Sequence, residues 1–418
     1  VSTTTASSPA TADLGHAPGS AAYRRVVAAL FAAGLATFAL LYSTQALLPE
    51  ISADLGVSSG AATLTVSLTT VGLALALLVA GPLSDRVGRT PLVHTSLAAS
   101  AVVALLCAVA PGWTSLLALR LLLGVTLAGL PAVATSYLRE ELHPGSHARA
   151  AGVYIGGTAI GGMAGRLVTG GAADLGGWRW GLAATGLLAL ACAVAVRLLL
   201  PPSRRFVPRA PRGSATAPRS ALADPALLAL YAVGACSVGA MVAVFNLVSF
   251  RLTSEPFGLG VGLASLVFLT YAVGTASSVV AGRAADRWGR RAVVPVGAAL
   301  ALAGVLLTLP DSLVLVVGGT ALLCAGFFAV HGVASGWVPA RAHAGRASSG
   351  AAAADYLFAY YVGSSVFGSL AGVAWGVGAW PAVVALAAAL LTVAGGLALV
   401  LRRTTPLAPE PTATPATA

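Results

Sequence analysis

The chain has 418 residues; 57% are hydrophobic, only 9% are charged, and the net charge is +11 at neutral pH. A soluble domain needs roughly 25% charged residues to cover its surface, so this composition excludes a water-facing enzyme or adaptor and fits a chain whose solvent is largely lipid. All 24 basic residues are arginines, and they lie mostly in short segments between apolar runs, without the continuous basic face that a nucleic acid requires.

Taken in chain order, residues 1–22 are rich in Ala, Ser, Thr, Pro and Gly and read as a disordered cytoplasmic tail. Arg24 and Arg25 precede an apolar run too long for the core of a cleaved signal peptide, which makes it a retained first span. A span takes about 20 apolar residues. Twelve such runs follow one another, near 26–48, 60–81, 91–110, 113–138, 149–173, 178–200, 225–250, 259–283, 293–309, 312–338, 348–373 and 378–401. The sequence therefore predicts an all-α membrane protein of twelve transmembrane helices in two six-helix, pseudo-symmetric bundles. These bundles are expected at 23–200 and 225–403, joined by a cytoplasmic central loop at 201–224 that is rich in Pro and Arg, with a second disordered cytoplasmic tail at 404–418. The cysteines Cys107, Cys192, Cys236 and Cys324 sit singly inside apolar runs and predict neither a disulfide nor a metal site.

Loops on the cytoplasmic side of a membrane carry the excess of basic residues. With the N-terminus inside, twenty arginines fall on the cytoplasmic side, two (Arg179 and Arg251) fall outside, and Arg120 and Arg166 fall within spans. That imbalance predicts both termini in the cytoplasm.

The halves repeat. Gly81-Pro82-Leu83-Ser84-Asp85-Arg86-Val87-Gly88-Arg89 lies between the second and third runs. Gly282-Arg283-Ala284-Ala285-Asp286-Arg287-Trp288-Gly289-Arg290 lies between the eighth and ninth, 201 residues later. A fainter echo follows the fourth run of each half, with His143, His147 and Arg149 in one and His343 and Arg346 in the other. The 81–89 loop resembles the signature loop of the major facilitator superfamily, and the 282–290 copy stands where that family carries its second one. The resemblance implies a cytoplasmic gate made of Gly81, Asp85, Arg86, Gly88 and Arg89 with Gly282, Asp286, Arg287, Gly289 and Arg290. In that reading the arginines reach carbonyls or acids of the other half.

Arg120 and Gly124 resemble the Arg-x-x-x-Gly element of the family's proton-coupled exporters. In the fifth run Gly152, Gly161, Gly165 and Gly170 resemble the exporters' glycine motif, a helix-packing face. Arg166 stands where that motif has Pro, and Thr169 where it has Gly. The segments 42–49 and 360–365 look like those of the arabinose-efflux-permease-like branch.

Ionisable groups inside spans are functional candidates because lipid makes them costly. Arg120 and Arg166 are expected either to line a central cavity or to bond carbonyls and snorkel. His331 is a candidate proton carrier, a substrate contact or a packed histidine. Asp355 either carries a proton or pairs with the gate arginines, and the second reading is preferred. Tyr42, Gln45, Asn246, Tyr360 and Tyr361 are candidate cavity donors. Trp337, Trp375 and Trp380 fit interfacial anchoring. No Asp or Glu falls mid-span, which points away from cationic cargo and towards neutral or anionic solutes.

The expectation is thus a functional monomer without cofactor or metal, in a bacterial-type inner membrane, exporting a small molecule by proton-coupled alternating access. The alternatives are a proton-linked importer of a sugar or organic acid, and a transporter-like sensor without flux. No phosphate loop, metal cluster or nucleophile–His–acid set supports an enzyme.

Overall fold

The computed structural model describes residues 15–206 and 221–404; the two distal tails and the middle of the central loop lie outside the described residues. Among those described, the regular structure is helical: α1 (Ala21–Leu41), α2 (Leu48–Asp54), α3 (Ser59–Val87), α4 (Arg89–Ala108), α5 (Trp113–Leu127), α6 (Gly129–Glu141), α7 (His147–Gly176), α8 (Trp178–Leu199), α9 (Pro225–Thr253), α10 (Val261–Ser265), α11 (Tyr271–Trp288), α12 (Arg290–Leu307), α13 (Leu313–Ala344) and α14 (Ser349–Arg403).

These form twelve membrane-crossing units. Ten stretches are long and apolar enough to cross a bilayer. One of them, α14, leaves helical geometry at Gly378 and Ala379 and so supplies two spans. The twelfth is the 30-residue α7, which its many glycines and Arg166 make less apolar.

Three units are broken helices. The sequence predicts one continuous first span over 26–48, but the helix ends at Leu41 and resumes through a 3₁₀ turn, Gln45–Leu47, into α2. Arg120 takes up carbonyls released there, donating to Leu40 O at 3.4 Å and Leu41 O at 3.2 Å. A guanidinium at a helix C-terminus also meets the negative end of the helix dipole. The fourth unit changes from α5 to α6 at Ala128; Pro131 lacks an N–H for the Leu127 carbonyl and its ring crowds that position. The eighth passes from α10 through 3₁₀ residues Leu266–Thr270 into α11.

Small residues set the helix contacts, because lipid tails leave helix association to close packing. A β-carbon on Gly157, Gly161 or Gly165 of α7 would come within 2.4, 2.3 and 2.5 Å of Phe31 O, Leu35 O and Ala39 Cα on α1. The packing face therefore runs through Gly157, which the motif does not include. Gly152 does not belong to it: a β-carbon there meets nothing within 4 Å. Gly170 packs instead on Ser265 of α10, in the opposite bundle.

Two further expectations are corrected. Of the predicted tail, residues 15–22 are held in place: His16 bridges to Leu142, its N–H donating to Glu141 O at 2.8 Å, and Ser20 caps α1. Trp380 is not an interfacial anchor. It is 1% exposed and donates to Thr308 O at 3.0 Å, because the backbone turn at Gly378–Ala379 folds it inward. Trp337 is likewise buried, in the apolar cluster of the second bundle.

Candidate functional site

The bundles meet through α3 against α14, α7 against α10 and α11, and α2 against α9. Side-chain hydrogen bonds across that seam are Gln45–Asn246 at 2.7 Å, Thr70–Ser365 at 2.6 Å, Ser67–Ser369 at 2.8 Å and Arg166–Tyr271 at 3.1 Å. Asp174 accepts from the Gly262 N–H at 2.9 Å. These contacts lie in the middle or towards the arginine-poor face, where α7 and α9 end and α10 begins. The two repeated loops, 81–89 and 282–290, sit on the opposite, arginine-rich face.

At the centre of the seam is Arg166, 1% exposed. Its Nε–H donates to Gln45 Oε1 at 2.6 Å, and its terminal nitrogens donate to the Gly162 carbonyl and the Tyr271 hydroxyl. Its guanidinium carbon lies 4.6 Å from the Tyr271 ring centre, 4.7 Å from Tyr42 and 5.1 Å from Phe268. Among the described residues no carboxylate pairs with it. A buried cation is costly, and here ring faces and neutral acceptors supply the compensation. Gln45 passes the connection on: its amide donates to Asn246 Oδ1, and Asn246 donates to Gly368 O at 3.4 Å. Arg166, Gln45, Asn246 and Tyr42 thus converge as one buried cluster.

A second group continues from it as a run of rings. Tyr271 meets Phe328 at 5.9 Å, Phe328 meets Phe327 at 5.1 Å, and Phe327 stacks on His331 at 5.7 Å, nearly parallel. His331 then meets Tyr360 at 4.8 Å, Tyr360 meets Tyr361 at 5.3 Å, and His331 Nδ1 lies 3.0 Å from the Tyr356 hydroxyl. Sequence reasoning missed Phe268, Tyr271, Phe327, Phe328 and Tyr356. Single aromatic residues inside apolar spans carry no pattern that separates a site wall from packing.

Arg120 does not join this cluster. It is fully buried, and its donors go to Thr65 O at 2.9 Å, Ser43 Oγ at 3.0 Å and the α1 carbonyls, all in the first bundle. Of the two readings carried for Arg120, it follows the carbonyl-bonding one, as a backbone brace at the break in the first span.

The two repeated loops, expected to form a gate, differ from each other. Gly88 and Gly289 both take positive φ, +95° and +85°, the turn that glycine permits. In the first loop Arg89 is buried, bonded to Asp85 at 2.8 Å, to Glu140 at 3.0 Å and to Ser84, with its guanidinium 5.3 Å from the Phe206 ring centre. These partners all belong to its own bundle or to the start of the central loop. The expected reach into the other half is therefore corrected for Arg89. Beside it the buried Glu141 accepts from Ser203 Oγ at 2.6 Å and from the Arg204 and Arg205 N–H groups at 2.8 and 3.0 Å. Gly81 and Gly282 have open space around them. Arg86 is exposed, and so are Gly282, Asp286, Arg287, Gly289 and Arg290 of the second loop. Asp355 forms no ion pair with the arginines of the repeated loops among the described residues. On the same face Asp224 caps α9, accepting from the Ala226 N–H at 2.9 Å, and binds Arg341 at 2.6 and 3.0 Å. Burial alone would raise its pKa, but these bonds bring it below the usual carboxylate value.

The family described as Major Facilitator Superfamily matches residues 29–274. The inner membrane transport protein YnfM of Escherichia coli is 41% identical over 378 residues, covering 90% of each chain. An uncharacterized MFS-type transporter of Bacillus subtilis, YybF, is 38% identical over 378 residues, covering 90% of this chain and 93% of that one. In fold, the chain superposes on the inward-facing, unoccupied structure of a bacterial homolog of the human lysosomal transporter Spinster. The TM-score is 0.76 at 17% identity, covering 91% of this chain and 97% of the other.

Proposed function

The chain belongs to the major facilitator superfamily and is a multi-pass membrane transporter rather than an enzyme, and from that premise we propose that it is a proton-coupled exporter of a small neutral or anionic solute, working by alternating access in a bacterial inner membrane. The arginine distribution supports a cytoplasmic position for the proposed gate loops and both termini. The seam contacts would then lie towards the outer face, which supports reading this arrangement as closed on that side. The two bundles, 23–200 and 225–403, would rock about the Arg166 cluster.

The observation that carries this reading is Arg166: a buried guanidinium without a carboxylate partner among the described residues, hydrogen-bonded to both bundles at their meeting point. Such a group favours an anion or a hydroxyl-rich neutral molecule over a cation. His331, hydrogen-bonded to Tyr356 beside the ring wall, is the proposed proton carrier. Export is favoured over import by Gly161 and Gly165 of α7, two positions that resemble the exporters' motif and that pack on α1.

The test uses proteoliposomes and everted vesicles of a strain that overproduces the protein, screened with labelled sugars, organic acids and drugs. Uptake into everted vesicles that collapses with the pH gradient supports proton-coupled export. Arg166→Met and His331→Gln are expected to abolish it in protein that still inserts and folds. Uptake only into right-side-out cells would establish import, and unchanged flux in both variants would remove these residues from the site.

A further inference from the structure

We infer that the solute is a flat organic carboxylate and that Gln45 is the element that couples its binding to opening of the outer face. This rests on the reading of Arg166 as the central site. A guanidinium has five N–H donors, and three of them meet protein acceptors here: Gln45 Oε1, the Gly162 carbonyl and the Tyr271 hydroxyl. All three acceptors are neutral. A carboxylate takes two parallel N–H groups of a guanidinium at once and binds more strongly than a neutral oxygen. It therefore competes for Arg166 with Gln45 and Tyr271, the two acceptors on side chains; the Gly162 carbonyl belongs to the backbone of α7.

The body of the solute is indicated by the surroundings of that cation. Tyr42, Phe268 and Tyr271 present ring faces to it, and Phe328, Phe327, His331 and Tyr360 continue the rings towards the arginine-rich side. A flat apolar ring slides among such faces with its carboxylate leading towards Arg166.

The consequence for gating follows from what else Gln45 holds. Its side chain carries two bonds, one to Arg166 in the first bundle and one to Asn246 in the second, and its backbone oxygen accepts from Ser249 at 3.3 Å. Gln45 is fully buried and sits in the short 3₁₀ turn Gln45–Leu47, between the end of α1 at Leu41 and the seven-residue α2. When a carboxylate takes the Arg166 Nε–H, Gln45 loses the bond that orients its amide, and the Gln45–Asn246 bridge loosens. The occupied carrier then has one fewer tie across its outer seam than the empty one. Binding from the cytoplasm thus lowers the free energy of the outward-open state relative to the inward-open one, as any ligand with differential affinity must.

The experiment measures binding and opening separately. Benzoate, the neutral isostere benzamide and phenyltrimethylammonium serve as probes in calorimetry on the purified full chain. Opening is read as the distance between spin labels at Ala53→Cys and Glu255→Cys, exposed positions on the outer side of the two bundles, with the four native cysteines replaced. Benzoate should bind, benzamide and the cation should bind at least about 10-fold more weakly, and benzoate should lengthen the outer distance. Gln45→Met should bind benzoate more tightly and show the longer distance without ligand. Asn246→Leu should show the longer distance without ligand and, because benzoate favours that state, should also bind benzoate more tightly.

If benzoate binds, and Arg166→Met abolishes binding, but Gln45→Met leaves both readouts as in the unmodified chain, the coupling role is overturned while the site stands. Equal binding of benzoate and benzamide overturns the carboxylate assignment. If Arg166→Met folds and binds benzoate normally, the underlying site reading itself fails.

Discussion

Gly161 lies so close to Leu35 that a β-carbon on it would come within 2.3 Å of the Leu35 carbonyl oxygen, and Gly363 meets Ala235 in the same way at 2.4 Å. The two contacts are the same contact made twice. Each joins the fifth span of a bundle to its first, with the partners offset by about half the chain, so the internal repeat extends from the gate loops to the helix packing.

Backbone atoms cannot give way as a flexible side chain can, so Gly161→Val and Gly363→Val are expected to destabilise the protein by at least about 1–3 kcal/mol, the usual cost of overpacking. Gly152→Val should change little beyond the small propensity term, since no atom lies within 4 Å of that β-carbon. Thermal midpoints of the purified variants in one detergent check this, and equal midpoints for Gly152→Val and Gly161→Val would contradict the packing assignment.

Arg89 is nearly buried and Glu140 only partly so, so loss of the glutamate leaves the guanidinium with Asp85 and Ser84 in a poorly solvated site. Glu140→Gln should cost about 1–3 kcal/mol, less than a fully buried pair because Glu140 is partly solvated. A double-mutant cycle with Arg89→Met measures the coupling. Arg290→Met, at the exposed equivalent position, should have no comparable effect on stability in this state.

The Asp224–Arg341 pair makes stability depend on pH. The folded-state pKa of Asp224 lies below its value in an unfolded chain, so its contribution is complete above about pH 4, the ordinary aspartate value, and disappears as pH falls through the folded-state value. The difference in thermal midpoint between the unmodified chain and Asp224→Asn should be constant from pH 5 to 8 and shrink below pH 4. A difference that grew on acidification would reverse the sign of the linkage.

Gly170 has Ser265 of the opposite bundle against it, with no room for a β-carbon. Gly170→Val should wedge the seam at the arginine-poor face and shift the protein towards the alternate state. Gly171→Val, where nothing lies within 4 Å, is the control. Faster labelling of a cysteine introduced at Ser369, on the same seam, would be seen in the first variant only; equal labelling in both would argue against the seam.

What the sequence by itself determined is what depends on solvent and on local chain geometry. A bilayer leaves no place for unsatisfied backbone, so apolar length dictated twelve spans, and the loop repeated at 81–89 and 282–290 marked the two halves. What only the tertiary structure decided is which polar side chains meet. Arg120 and Arg166 look alike in a hydropathy trace, each a lone arginine in an apolar run. The break after Leu41 turns Arg120 onto backbone carbonyls, while Gln45, across the same break, meets Arg166 and, 201 residues along the chain, Asn246. That partnership depends on how two bundles dock, and the docking is set by close packing at Gly60 against Gly372 and Gly170 against Ser265. Local pattern carries no trace of it, because each residue has its partner in the other half of the chain.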